Sequence, residues 1–333
     1  MKKELFGVLL VPILLAACCV PTATPEEARV PTATPEKIWT YQDMVVGLVQ
    51  LNGEGGWRVA NLASFKETAE ELGITLKFYD SANPRSHLKE DFRYFLADEE
   101  VNVIVLSALD PTGWEDALRE AKTAGKIVIL QDRRVDVPED LYVTRVGFDF
   151  VEEGRKAAIE MCKFLEGDEK KYAVEIAGSM GNSAAKDRSR GFHEKMSDCG
   201  IEIIEQAPAN WTVREGKEVM ASWLRETTDI QGVFAQNDDM GLGAIEAIKE
   251  AGLRPGIDIK VVSIDATAGA FEAMLAGELN ASVECSPLVA PQVYEAALKA
   301  LNGEELPKWI PVEESVFSSD MPDLQEIADG RRY

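Results

Sequence analysis

The sequence predicts an α/β protein built as two doubly wound parallel-sheet (Rossmann-like) domains, and three observations carry that expectation. The chain has 333 residues, too many for one hydrophobic core and suited to two domains of about 150 each. From Met44 onward short apolar runs alternate with amphipathic stretches, the pattern of strands and helices in turn. Central runs such as 103–106 and 127–130 are continuously apolar rather than apolar at every second residue, which marks parallel strands covered on both faces.

Taken in order, the strand-like runs are 45–51, 75–79, 103–106, 127–130, 142–146, 172–177, 201–205, 233–235, 260–264 and 281–284. Helical spacing fills most of the gaps. Within 57–72, Ala60, Ala63, Ala69 and Leu72 fall at helical spacing, and within 240–251 Leu242, Ala244, Ile245 and Ile248 share a face. Leu72-Gly73 and Ala251-Gly252 are helix stops. Roughly ten strands exceed one comfortable open sheet. The pattern runs twice, over 44–147 and 149–284, and leaves a short tail.

The start of the chain is different. Lys2 and Lys3 precede an uncharged apolar run over 6–17, too short for a spanning helix of about 20 residues, so the segment reads as a secretory signal. It ends Leu15-Ala16-Ala17-Cys18, which resembles the lipobox of bacterial lipoproteins, where cleavage precedes a cysteine that takes a diacylglycerol. Residues 1–17 are thus expected to be a signal peptide and Cys18 a lipidation site, with Cys19 as a neighbour. The string VPTATPE occurs at 20–26 and again at 30–36. Pro and Thr at this density favour extended polyproline II, so 18–40 is expected to be a tether about 60 Å long at about 3.1 Å per residue.

Composition narrows the partners. Apolar residues make up 46% and charged residues 28%, which suits a soluble globular body. The net charge of −23 repels a polyanion and argues against nucleic acid. Cys162, Cys199 and Cys285 remain beyond the leader. An exported protein permits one disulfide with a thiol left over; three small buried hydrophobes is the reading favoured here. No spacing suggests a metal.

In open parallel sheets ligands bind beyond the carboxyl ends of the strands, so the residues just past each strand matter most. The first strand leads into 52–58, with Glu54, Gly55, Gly56, Trp57 and Arg58; the third into Asp110 to Trp114; the fourth into Gln131, Asp132, Arg133 and Arg134. In the second half come Asn182 with Asp187 and Arg188, then Asn210-Trp211, then Gln236 to Asp239, then Asp265 to Thr267. These are the groups a sugar needs. Carboxylates and guanidinium groups grip vicinal hydroxyls in pairs, and an indole face covers a C–H patch. Glu54, Arg58, Asp132, Arg133, Arg188, Asn237 and Asp265 with Trp57 and Trp211 make that inventory. Helix capping is the competing role for Asp238 and Asp265. Trp114 reads as packing and Arg134 as a solvated neighbour of Arg133.

On these stretches the chain resembles the periplasmic sugar-binding proteins of ABC importers, the ribose and galactose type, and most of all their galactofuranose-binding branch. The resemblance is carried by Glu54-Gly-Gly-Trp-Arg58, Thr112-Gly-Trp-Glu115, Asp132-Arg133, Ser183-Ala-Ala-Lys-Asp-Arg188 with Gly191-Phe192, Asn237-Asp-Asp-Met240, the 243–252 helix, Ser263-Ile-Asp265 and Ala281-Ser-Val-Glu284. It implies a type I periplasmic-binding-protein architecture with a three-crossing hinge, the first domain being 41–147 plus 286–312 and the second 148–285 plus 313–333. It also implies a monosaccharide site at Glu54 to Arg58, Asp132, Arg133, Arg188, Asn237 and Asp265. At Trp211, ribose-binding relatives place a stacking aromatic. Two positions depart: Cys285 stands where ribose-type relatives hold glutamine, and Gly55 where the galactofuranose branch tends to serine.

The implied protein is an extracytoplasmic, lipid-anchored monomer that closes on a sugar, delivers it to a membrane permease with its ATPase, needs no cofactor and catalyses nothing. A glycosidase is the enzyme rival, since cleft carboxylates can mimic its pair. No Gly-x-Ser-x-Gly or P-loop is present, and His87 and His193 sit in no triad or metal motif. A sensor's input domain shares the expected fold. So does a repressor, but a repressor carries a helix-turn-helix where this chain has its signal-like segment and tether.

Overall fold

The computed structural model describes residues 37–51, 55–79, 87–227 and 229–333; the leader, Cys18, the tether up to residue 36 and Glu54 lie outside them. Residues 38–333 form one compact unit. Its strands are β1 (Val45–Val49), β2 (Thr75–Phe78), β3 (Val103–Leu106), β4 (Ile127–Gln131), β5 (Thr144–Gly147), β6 (Tyr172–Ala177), β7 (Glu202–Pro208), β8 (Gly232–Ala235), β9 (Lys260–Asp265), β10 (Ala281–Glu284), β11 (Trp309–Pro311) and β12 (Val316–Ser318). Its helices are α1 (Gly55–Leu72), α2 (Leu88–Ala97), α3 (Glu115–Thr123), α4 (Phe150–Phe164), α5 (Ser183–Met196), α6 (Val213–Glu226), α7 (Asp238–Glu250), α8 (Ala268–Leu275), α9 (Ala290–Leu301) and α10 (Leu324–Asp329).

The strands form two sheets with the same winding. The first has the order β11-β5-β4-β3-β1-β2 and the second β12-β10-β9-β8-β6-β7. All pairings are parallel except β10 with β12. Each sheet starts at the strand next to one edge, at β1 and at β6; the chain first adds that edge strand and then reverses direction across the sheet. The chain crosses between the sheets after β5, after β10 and between β11 and β12. Thus the tail is not loose: its two short strands close one edge of each sheet.

Burial follows from this layering. Residues of β3 are buried without exception, as a strand covered on both faces requires. In the second half the helices pack closely through glycines. A Cβ on Gly154 of α4 would meet the Arg188 carbonyl oxygen at 2.1 Å, and one on Gly191 of α5 would meet that of Val151 at 1.9 Å. The glycines therefore set how near α5, and Arg188 with it, lies to α4. Helix α4 is also joined covalently to the turn that follows α5. Cys162 and Cys199 form a disulfide with Cα atoms 5.9 Å apart, which corrects the expectation of three free cysteines. Spacing alone does not reveal it, because helix packing and not sequence proximity brings the two together. Cys285 is a free, buried thiol.

Candidate functional site

The two winding reversals explain where the site lies. A strand that ends at such a switch point sends its connection away from its neighbour's, leaving a crevice at the carboxyl edge. The connections after β1 and β6 place Trp57 and Arg58 in α1 and Arg188 in α5. Asp132 and Arg133 follow β4, Trp211 follows β7, Asn237 follows β8 and Asp265 ends β9. All eight line one cavity.

Backbone strain concentrates there. Among the described residues, the non-glycine positions with positive φ are Asp132 (63°), Asn210 (48°), Trp211 (67°), Asp265 (124°) and Ala266 (56°). Three line the cavity and the others adjoin them. Such conformations cost of order 1–3 kcal/mol each and persist only where the surroundings hold them. Asp238 supplies one such hold. Its buried carboxylate accepts from Ser263 Oγ at 2.5 Å, Ser282 Oγ at 2.8 Å and the Thr267 amide at 2.7 Å. Ser282 Oγ also accepts from the Ala266 amide at 3.0 Å. Burial pushes the Asp238 carboxyl up to about 6 against these hydrogen bonds. Asp238 thus shapes the turn carrying Asp265. Asn237 caps α7, accepting from the Met240 amide at 3.0 Å, while its Nδ2 donates to the Trp211 carbonyl at 3.3 Å.

The charges in the cavity are arranged in opposed sets. Arg58 bonds Oδ2 of Asp132, to which Ser107 Oγ also donates at 3.3 Å; among the described residues nothing donates to its Oδ1. Burial works to raise the Asp132 carboxyl, but Arg58 and Arg133 outweigh it and hold the group below its ordinary range. Opposite, Arg188 Nε donates to Glu153 at 2.6 Å and Nη1 to the Gln236 carbonyl at 2.7 Å. Burial opposes its charge, and Glu153 more than restores it. Asp265 lies 3.7 Å from Arg188 Nη2, and burial drives its carboxyl well up. Between the sets stands Trp211, its ring 5.6 Å from the Arg188 guanidinium and 6.0 Å from that of Arg133. Its Nε1 is buried with no hydrogen-bond partner among the described residues.

Some expected residues take other places. Gly55 and Gly56 touch the opposite side instead of lining the cavity. The Gly56 amide donates to Asp239 Oδ2 at 2.8 Å, and a Cβ on Gly55 would meet Asp239 Oδ2 at 2.5 Å and the Trp211 carbonyl at 2.9 Å. The glycine at 55 is what this close approach requires. Trp57 spends its Nε1 on the Cys285 carbonyl at 2.6 Å. Trp114 is buried against Phe92, with ring centroids 5.9 Å apart. Arg134 is not a solvated neighbour: it pairs with Asp187 of α5, Nη2 lying 3.3 Å from Oδ1, and so links the two halves. Sequence reasoning had no signal for a partner 53 residues away. It also passed over Phe150, Ala184 and Cys285 as lining residues. Phe150 and Ala184 carry no polar group to mark them, while Cys285 stood out only as a departure from the ribose-type pattern.

A family model described as "Periplasmic binding protein domain" matches residues 46–305. The chain belongs to this family. As a periplasmic binding protein it has the type I fold, two parallel-dominated sheets with alternating helices. It is 38% identical over 279 residues to the galactofuranose-binding protein YtfQ of Escherichia coli (strain K12), covering 82% of this chain and 87% of that one. A crystal structure of a galactofuranose binding protein superposes with a TM-score of 0.82 at 36% identity, over 86% of this chain and 98% of that one. The periplasmic component of the arabinose ABC transporter from Shewanella sp. ANA-3, bound to α- and β-L-arabinofuranose, gives 0.82 at 34% identity, over 87% and 96%.

Proposed function

We propose that this periplasmic binding protein is the substrate-binding subunit of an ABC sugar importer. It takes a neutral monosaccharide, galactofuranose- or galactose-like or a pentofuranose, between its two halves and presents the closed form to a permease and its ATPase. The observation that carries this is the cavity itself: two opposed arginine–carboxylate sets around a buried tryptophan face. A ring sugar meets all three with its hydroxyl rim and C–H faces. The open oxygens of Asp132 and Asp265 accept from hydroxyls, Arg58, Arg133, Arg188 and Asn237 donate, and Trp211 lies against the ring. Glu54, outside the described residues, belongs to the same proposal. The names of the similar proteins, which include galactofuranose and arabinofuranose binders, support the furanose preference.

In this reading the lobes are 41–147 with 286–312 and 148–285 with 313–333. Residues 1–17 are a signal peptide, Cys18 carries the lipid, and the body works outside the cytoplasm as a monomer without a cofactor and without catalysis. The sensing alternative differs only in the partner. A thermal-shift panel tests the binding claim, since a ligand selective for the native state raises the melting temperature. D-galactose, D-fucose and L-arabinose are expected to raise it, and amino acids and short peptides to leave it unchanged; the opposite pattern refutes the assignment. For the anchor, Cys18→Ser is expected to leave the protein unlipidated and out of the membrane fraction, and an acylated Cys18→Ser protein contradicts it.

A further inference from the structure

Phe150 lines the proposed sugar cavity on one side and a second space of about 180 Å³ on the other. Arg134, Arg145, Asp187, Arg190 and Trp309 also line this second space, with Asp149 at its edge. Three guanidinium groups face two carboxylates there, which leaves one positive charge in a chain whose net charge is −23. Asp187 is shared by Arg134 and Arg190, the latter at 3.4 Å. Arg145 has no carboxylate partner among the described residues. Its Nη1 donates to the carbonyls of Asp132 at 3.2 Å and Phe148 at 3.1 Å, and its guanidinium lies 5.0 Å from the Trp309 ring. Its Nε and Nη2 donate to no described residue. That edge of a guanidinium is the fork that receives both oxygens of a carboxylate. Burial, with the Arg134 charge, depresses its basicity against the pull of Asp132 and Asp149.

We propose that this space is a second ligand site, for a small monocarboxylate, seated on the Arg145 edge over Trp309 and reached by Arg190 from α5. Arg145 belongs to β5 of the first sheet and Arg190 follows β6 of the second, so an occupant spans both halves beside the crossing at Gly147–Phe148. An anion held by both halves favours the closed arrangement. By reciprocity it then raises sugar affinity, a consequence that rests on the proposed function, whereas occupancy of the site does not.

Acetate is the probe. Saturation-transfer NMR on the intact protein is expected to show bound acetate, with transfer lost in Arg145→Gln and in Arg190→Glu. The Arg190→Glu variant alters an exposed side chain and keeps the test valid should Arg145→Gln fold poorly. In calorimetry at constant ionic strength, replacing chloride by acetate is expected to tighten sugar binding about fivefold in the parent protein and to have no effect in Arg190→Glu. No transfer to acetate in the parent, or undiminished transfer in Arg190→Glu, overturns the site. An acetate-independent sugar affinity overturns the coupling. A protein that binds acetate but no sugar would sink the importer reading and leave the site standing.

Discussion

Arg188 concentrates the chemistry of the site in one side chain. It faces the cavity, yet it also neutralises Glu153, which is fully buried, and ties α5 to the Gln236 carbonyl. Arg188→Ala is therefore expected to act twice. Removing paired charge-assisted bonds to the sugar costs on the order of 2–4 kcal/mol, or about 30- to 1000-fold in affinity. Leaving Glu153 as an uncompensated buried charge costs about 3–5 kcal/mol of stability. The double variant Arg188→Ala, Glu153→Gln separates the two, because it is expected to recover melting temperature but not affinity. Recovery of affinity as well would remove Arg188 from the sugar. Trp114→Ala is expected to do the reverse, losing about 3–5 kcal/mol of stability with sugar affinity unchanged.

At the level of elements, the core strands were legible because parallel strands buried on both faces announce themselves as apolar runs; 103–106 coincides with β3, and 127–130 covers all of β4 but its last residue. The tail strands were not. β11 and β12 have three residues each, and β11 ends in Pro311, so neither shows a period. The residues gathered in the cavity were legible because carboxylate, guanidinium and indole groups recur together just past the strand ends. The strained backbone at Asp132, Trp211 and Asp265 was not, since no glycine marks it. The disulfide also escaped, and it makes an element-scale prediction. Closing a loop with 37 residues of separation stabilises by about 3–4 kcal/mol in the chain-entropy account. Reduction, or Cys199→Ser, should lower the melting temperature by roughly 6–16 °C at about 2–4 °C per kcal/mol. Sugar affinity should persist at low temperature; its loss there would mean that the bridge positions Arg188.

Across the whole molecule, the closure that the proposed function requires would depend on contacts between the halves. The Arg134–Asp187 pair and the Gly56–Asp239 hydrogen bond span them directly. Arg134→Ala should shift the population toward the open form and weaken sugar binding about threefold to tenfold, chiefly through faster release. Stopped-flow dissociation reads this, and an unchanged release rate contradicts it. The third crossing adds a pH effect. Glu314 lies between β11 and β12 with its carboxyl against that of Glu153, and Lys156 lies 3.6 Å away. Burial and the Glu153 charge push it up to about 11. Below the ordinary glutamate range both folded and unfolded states hold this proton. As pH rises, the unfolded chain ionises first, so the group draws stability down between about pH 5 and 10. Glu314→Gln should flatten that decline and gain at least about 1 kcal/mol at pH 8. A parallel decline in both proteins would place the cause elsewhere.

On the proposed function, the two opposed arginine–carboxylate sets take one neutral sugar with a stoichiometry of one. Calorimetric titration of the purified protein with D-galactose, D-fucose and L-arabinose, and with an amino acid as control, tests this most directly. The expected result is a single 1:1 isotherm for at least one sugar, with Kd below about 10 μM, and no heat from the control. No heat from any sugar, with a 1:1 isotherm for the amino acid, would contradict it.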